Sequence, residues 1–180
     1  MAETTPATQR WIGRVGFVLM ALLVISLLLV PLDTMPRRWA PPDLLLCLTL
    51  LWTVRRPDYA PVVVVAMLFL LADFLFQRPP GLMAALVVMA TEAIRRRAGS
   101  FRSMPFLVEW LSVALVVVLI AFAQRVLLAV TLLDLPPLPL TMIEMTLTVL
   151  AYPVLAGLAY LLFGISRRAP GEVDTLGHRI

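Results

Sequence analysis

Long apolar runs, separated by short polar or proline-rich stretches, make up most of this chain. The runs predict six membrane-spanning helices, over residues 12–32, 42–55, 58–77, 81–94, 105–133 and 141–164. We expect these helices to form one membrane domain over residues 11–166. A disordered N-terminus (1–10) and a polar cytoplasmic tail (167–180) flank the domain.

The second run, residues 42–55, is too short to cross a bilayer comfortably. At 1.5 Å per residue it covers about 21 Å, whereas the hydrocarbon core is roughly 30 Å thick. Two alternatives stay open: a short span with thinned lipid around it, or a re-entrant segment.

Two central runs, from Val62 to Glu92, predict a helical hairpin with Asp73 just before its turn. The apolar residues contribute roughly 4 to 6 kcal/mol to insertion against a cost of roughly 3 for one buried Asp, so the segment inserts. An anion near a helix C-terminus opposes the helix dipole. We therefore expect a positive or hydrogen-bonding group to face Asp73, with Arg78 and Arg125 as candidates.

Three charges, on Asp73, Arg125 and Glu144, fall in the outer third of the predicted spans. For Arg125, snorkelling toward the headgroups and a buried pair with Glu144 or Asp73 both stay open. Thr141 and Glu144 match an S/T-x-x-E capping box that would start the sixth helix. With Gly81 in the hairpin turn, the candidate structural or partner-contact residues are Asp73, Gly81, Arg125 and Glu144.

The remaining acids and tryptophans have structural explanations. Glu92 precedes Arg96 by four residues, the favourable order for a helical ion pair. Glu109 lies in a predicted N-terminal turn, where a negative charge suits the helix dipole. The four tryptophans lie near predicted span ends and are expected to be membrane-interface anchors: Trp11, Trp39, Trp52 and Trp110.

The composition supports an integral membrane protein and excludes several functions. Of 180 residues, 61% are hydrophobic and 14% are charged, and the mean hydropathy is +0.95. The first run lacks a cleavage site and is expected to be an uncleaved span. A single cysteine, Cys47, and a single histidine, His178, exclude a disulfide framework and argue against a metal or haem site. No catalytic constellation appears, so we expect no cofactor and no enzymatic activity.

The basic residues indicate topology rather than nucleic-acid binding, because they flank the spans. All 15 are Arg. With the N-terminus in the cytoplasm, eleven fall on the cytoplasmic side and three, at 37, 38 and 78, fall outside. Arg125 lies within a span. This asymmetry predicts six crossings with both termini cytoplasmic.

The run from Pro42 to Gly81 resembles the rod shape-determining protein MreD family. The shared features are a proline-led short helix ending in an aromatic residue and Arg-Pro, then an apolar helix ending in an acid, then a Pro-x-Gly turn. Here they are Pro42, Trp52, Arg56-Pro57, Asp73 and Gly81. The chain departs from the family at Leu70, where the family usually has glycine, and at Gln77, where it usually has a small or glycine-like residue.

The resemblance implies a non-enzymatic scaffold in the bacterial inner membrane. Such a multi-pass subunit of the elongasome binds the transmembrane helix of MreC. Through MreC it is linked to MreB, RodA and a penicillin-binding protein, and it supports lateral peptidoglycan synthesis and cell shape. Membrane lipids are further expected partners, and a homodimer is left open.

The resemblance also implies an alternative function. The MreD fold is similar to that of the S component of energy-coupling-factor transporters, which binds a small vitamin-like ligand. The predicted loops are short and proline-rich, and the first helix has no Gly or Ala pair four residues apart for docking. The scaffold is therefore the primary expectation.

Overall fold

The computed structural model describes residues 6–30, 40–97 and 105–163, and in these ranges all regular secondary structure is helical. The all-α fold class predicted from the sequence is confirmed. The helices are α1 (Pro6–Leu29), α2 (Leu44–Arg55), α3 (Val62–Leu75), α4 (Leu82–Arg96), α5 (Phe106–Val130) and α6 (Leu138–Phe163). The predicted tail (167–180), Trp39, Arg37 and Arg38 lie outside the described residues.

Among the six helices of the described residues, three are long and apolar enough to cross a membrane: α1, α5 and α6. They contain 24, 25 and 26 residues, or about 36 to 39 Å at 1.5 Å per residue. α2, α3 and α4 contain only 12, 14 and 15 residues, or about 18 to 23 Å. The three long helices indicate a membrane protein.

The short helix α2 lies at the centre of the bundle. Every residue from Leu45 to Val54 is buried. α1, α4 and α6 pack against α2, and the other helix contacts follow the order α1, α3, α4, α5, α6 around it. α2 is therefore enclosed by protein rather than by lipid. The two alternatives drawn from the sequence, a short span with thinned lipid around it and a re-entrant segment, did not specify that other helices would enclose the second run.

Contacts near the helix termini show which termini share an end of the bundle. At the end where α2 finishes, here called the Arg55 end, Arg14 near the start of α1 donates a hydrogen bond to the Asp58 carbonyl at 3.1 Å. Arg95, near the end of α4, donates to the Ala60 carbonyl just before α3. The start of α1, the start of α3 and the ends of α2 and α4 thus lie together.

The opposite end, here called the Asp43 end, contains the start of α2 and the turn between α3 and α4. Arg78 of that turn lies 3.9 Å (Nη1 to Oδ2) from Asp43. The backbone N–H of Asp43 donates to the hydroxyl of Thr148 in α6 at 2.9 Å. Successive helices from α1 to α4 therefore alternate in direction.

α1 and α3 begin at different positions from those predicted. α1 begins at Pro6, so residues 6–10, assigned from the sequence to a disordered segment, are helical; proline is well tolerated in a first turn. α3 begins at Val62 instead of residue 58. Pro61 disfavours helical backbone at the residue before it, and residues 57–60 form a turn instead.

The capping box predicted at Thr141 is wrong. α6 begins at Leu138, so Thr141 lies inside the helix. The carbonyl of Pro137 accepts the N–H groups of Leu140 (3.0 Å) and Thr141 (3.3 Å) and closes the first turn. The Thr141 hydroxyl accepts a hydrogen bond from Arg125 at 2.8 Å. Proline-led initiation therefore replaces the side-chain cap.

Trp52 is a core residue rather than an interface anchor. Its side chain is 4% exposed and packs between the rings of Phe17 and Tyr59, with centroid distances of 5.7 and 5.9 Å. The prediction failed because α2 is enclosed on all sides, so the last turn of α2 does not reach a lipid interface. Trp11, by contrast, is 64% exposed.

Candidate functional site

Asp73 binds the beginning of the next helix. It lies in the last turn of α3, is 1% exposed, and its Oδ2 accepts the backbone N–H groups of Gly81 (3.0 Å) and Ala84 (3.2 Å). The first N–H groups of a helix have no partner within the helix, and a carboxylate there is favoured by the helix dipole. The hydrogen-bonding group expected to face Asp73 is therefore the N-terminus of α4.

The turn between Asp73 and α4 requires left-handed backbone at two residues. Gly81, the N-cap of α4, has φ +85°, which glycine adopts without steric cost. Gln77 has φ +54°, a conformation that is unfavourable for a residue with a Cβ.

Arg78 connects this turn to the central helix. Its guanidinium approaches Asp43, whose Oδ1 accepts the N–H of Leu46 at 2.9 Å and so caps α2. The hydroxyl of Thr148 accepts the N–H of Asp43 and donates to the Glu144 carbonyl at 2.6 Å. The Asp43 end therefore links α2, the α3–α4 turn and α6 through polar groups.

A small polar cavity lies beside Asp43. Its volume is about 40 Å³, enough for one or two waters. The polar side chains that line it are Asp43, Gln124, Thr141, Glu144 and Thr148. Glu144, a candidate residue from the sequence, thus faces a cavity between α2, α5 and α6 rather than capping a helix.

Arg125 binds the connector that follows its own helix. Its Nη1 donates to the Pro136 carbonyl at 2.9 Å and to the Thr141 hydroxyl at 2.8 Å. The alternative pair with Glu144 or Asp73 is absent from the ion pairs of the described residues. Arg125 does extend toward the end of its helix, as snorkelling predicts, but its guanidinium contacts protein groups there.

The Arg55 end contains a buried charged cluster. Arg55 Nε lies 3.3 Å from Oε1 of Glu109, and the same oxygen accepts the hydroxyl of Tyr152 at 2.8 Å. Arg55 also donates to the Ala156 carbonyl at 3.3 Å. Glu109 is 1% exposed and Tyr152 is fully buried. The cluster joins the end of α2 to α5 and α6.

α6 contains an internal proline whose missing hydrogen bond is replaced from α5. Pro153 has no N–H, so the carbonyl of Val149 lacks its usual helical donor. The indole N–H of Trp110 donates to this carbonyl at 2.9 Å. The thiol of Cys47 approaches the neighbouring Thr148 carbonyl at 3.1 Å. Trp110 therefore stabilises α6 by supplying the donor that Pro153 lacks.

These contacts have a common physical origin in the length of α2. At about 18 Å, α2 is shorter than a membrane core of roughly 30 Å, and backbone groups left unsatisfied within such a core cost several kcal/mol each. The Asp43 carboxylate accepts the N–H of Leu46 in the first turn of α2, and Arg55 places its charge against Glu109 at the other end. The site is a set of polar contacts that organise the fold.

Sequence reasoning recovered part of this site. Asp73 and Gly81 are brought together, whereas Arg125 and Glu144 lie elsewhere at the Asp43 end. The sequence interpretation missed that Arg55 and Tyr152 both reach Glu109. The role of Trp110 had a signal in the sequence. A proline inside an apolar run leaves the carbonyl four residues before it without a hydrogen-bond donor, so a donor from another helix can be expected there. Within the described ranges, no group of three or more His, Cys, Asp or Glu residues is placed to hold a metal ion.

Comparison with known proteins adds no relative to this picture: no family model matches the chain, and no curated protein or solved structure matches it.

Proposed function

We propose that this chain is an MreD-type, non-enzymatic scaffold of the bacterial inner membrane that binds the transmembrane helix of MreC and supports lateral cell-wall synthesis. The observation that carries the proposal is the turn between α3 and α4. The residues on which the family resemblance rests, Asp73 and Gly81, are joined by a hydrogen bond there. Gln77, where the chain departs from the family pattern, has the left-handed backbone conformation that glycine adopts most easily.

The distribution of surface supports recognition through helix faces. The described connectors are short, covering 56–61, 76–81 and 131–137. The long helices instead expose rows of large apolar side chains, such as Leu19 and Leu23 on α1 and Leu115 and Phe122 on α5. A membrane protein built in this way presents mainly helix surface to a partner.

We assign the MreC contact to the face of α6 around Gly157. Gly157 is exposed, and a Cβ built on it meets nothing within 4 Å. Its neighbours Val154 and Leu161 are 63% and 77% exposed. Helices in membranes associate best where a small residue lets the backbones approach closely. Gly157 is such a point on an otherwise bulky surface.

Co-purification with MreC tests the scaffold function. The chain and MreC are co-expressed in membranes, and MreC recovery is measured for the parent, Gly157→Leu and the control Val154→Leu. Both changes add volume to the same exposed face, but only Gly157→Leu blocks close approach. We expect MreC recovery to fall for Gly157→Leu alone. Absence of MreC from the parent pull-down, together with intact rod shape after depletion of the chain, would show that the scaffold proposal is wrong.

The proposal includes six crossings with the Arg55 end in the cytoplasm. Arg10 and Arg14 begin α1, Arg55 and Arg56 end α2, and α4 ends in three arginines at 95–97. Their concentration at one end supports a cytoplasmic assignment. A phosphatase fused after Arg97 should be inactive, because that reporter needs the other side of the membrane. An active fusion would contradict the topology.

The S-component-like transporter is the second candidate, and the polar cavity beside Asp43 is the observation in its favour. Its volume of about 40 Å³ is far below the 300 to 1,000 Å³ typical of a small-molecule site. The size of the cavity therefore favours the scaffold. A vitamin-like molecule retained through purification and identified by mass spectrometry would reverse this preference.

A further inference from the structure

An apolar groove runs between α4 and α5 on the outer surface of the bundle. Its volume is about 280 Å³, and its lining residues are Leu86, Met89, Ala90, Ala93, Val116, Leu119, Ile120 and Ala123. The residues on each helix recur at three- and four-residue spacing, so they form one face of each helix. Met89 and Leu119 are 60% and 55% exposed, so the groove is open along its length.

The groove lies at the level of the hydrocarbon core. Its α5 residues, Val116 to Ala123, occupy the middle of a candidate membrane span that runs from Phe106 to Val130. The groove therefore faces acyl chains in a bilayer, and its natural occupants are apolar.

The dimensions of the groove fit a chain better than a helix. From Leu86 to Ala93 the groove is about 10 Å long at 1.5 Å per residue. A helix about 10 Å in diameter occupies roughly 800 Å³ over that length, nearly three times the volume of the groove. An extended acyl chain is much thinner and can enter between α4 and α5.

The face of α4 that lines the groove ends in arginines. Arg96 and Arg97 follow Ala93 by three and four residues, so they lie about one helical turn beyond the groove on the same side of α4. Arg96 and Arg97 are both exposed. Arg96 Nε lies 3.5 Å from Glu92, which also approaches Arg95 at 4.0 Å. One carboxylate against three guanidiniums leaves this end of α4 positively charged.

We propose that the groove and Arg96 with Arg97 form a binding site for an anionic phospholipid. One acyl chain lies between α4 and α5, and the lipid phosphate contacts the guanidiniums at the end of α4. Basic groups beside a crevice between membrane helices recognise anionic lipid headgroups in this way. The site depends only on the chain lying in a membrane, so it is independent of the scaffold function.

Native mass spectrometry of the full detergent-purified chain tests the site with phosphatidylglycerol and phosphatidylcholine of equal chain length. We expect phosphatidylglycerol to be retained preferentially. In the double variant Arg96→Gln/Arg97→Gln, the affinity for phosphatidylglycerol should fall roughly 25-fold. Each arginine near a membrane surface contributes about 1 kcal/mol to binding an anionic lipid, and the two contributions together give this change. The control, Arg10→Gln/Arg56→Gln, removes the same charge at the Arg55 end and should keep the preference.

A second pair of variants tests the groove itself. Ala93→Leu fills the groove and should weaken binding of both lipids, whereas Ala129→Leu, at an exposed position of α5 outside the groove, should not. Water-soluble glycerol phosphate should compete poorly, because it lacks the acyl chain. Equal retention of both lipids by the parent, equal loss in the two arginine double variants, or full competition by glycerol phosphate would each overturn the proposal. MreC recovery is measured separately and does not enter this result.

Discussion

The indole N–H of Trp110 in α5 donates a hydrogen bond to the backbone carbonyl of Val149 in α6 across 2.9 Å. Pro153 leaves that carbonyl without its usual donor one turn later in α6. A side chain of α5 thus supplies a hydrogen-bond donor that the backbone of α6 lacks. The energetic coupling between Trp110 and Pro153 can be measured.

Trp110→Phe keeps an aromatic ring and removes the donor, so the free energy of unfolding should fall by about 1 to 2 kcal/mol. In a Pro153→Ala background the new N–H of residue 153 can reach Val149, so the same change should cost less. Denaturant titration in detergent micelles for the four proteins of this double-mutant cycle gives the coupling. Strictly additive effects would show that Trp110 and Pro153 act independently.

We expect the Asp73 side chain to act mainly as a hydrogen-bond acceptor rather than through its charge. Asp73→Asn keeps a side-chain oxygen that can accept the N–H groups of Gly81 and Ala84, so the protein should accumulate in membranes close to normal levels. Asp73→Leu leaves two buried donors without an acceptor, at a cost of about 2 to 4 kcal/mol. Immunoblots of membranes and thermal unfolding of the purified variants compare the two. Equal loss of both would indicate that the negative charge itself is required.

Two substitutions in the turn between α3 and α4 should change the free energy of unfolding in opposite directions. Gly81→Ala places a Cβ at φ +85° and should lower the free energy of unfolding by about 1 to 2 kcal/mol. Gln77→Gly relieves the same conflict at φ +54° and should raise it by about 0.5 to 1 kcal/mol, because added unfolded-state entropy offsets part of the gain. Unfolding midpoints in one detergent test both. Shifts of the same sign would contradict the backbone explanation.

Substitutions in the charged cluster at the Arg55 end should lower the free energy of unfolding by different amounts. Tyr152→Phe removes one hydrogen bond to Glu109 and should cost about 1.5 to 3 kcal/mol. Arg55→Met removes the cation beside a buried carboxylate and should cost about 3 to 5 kcal/mol.

Adding Glu109→Leu to Arg55→Met removes the remaining buried charge and should recover part of that loss. Thermal unfolding in detergent provides the measurement for all three proteins. If the double variant is less stable than Arg55→Met alone, Glu109 stabilises the fold through groups other than Arg55.

The helices could be anticipated because each is an apolar run bounded by proline or arginine. The hairpin from Val62 to Glu92 was also anticipated, together with the need for a partner at Asp73. The partner itself could not be anticipated. The named candidates were arginine side chains, whereas the groups that bind Asp73 are backbone N–H groups at the start of the following helix. The boundaries at Val62 and Leu138 differ from prediction because more than one proline lies near the start of each of these two helices, whereas α1 extends back into the polar segment as far as Pro6.

The sequence by itself determined the all-helical character of the chain, its membrane-protein composition and the positions of the turn residues, because these follow from local hydrophobicity and backbone preference. Only the tertiary structure decided which helix lies at the centre. Burial of α2 turned Trp52 into a core residue and brought Arg55, Glu109 and Tyr152 into one cluster. These contacts join residues far apart in the chain, and a short helix enclosed by other helices finds its polar partners only where the bundle supplies them.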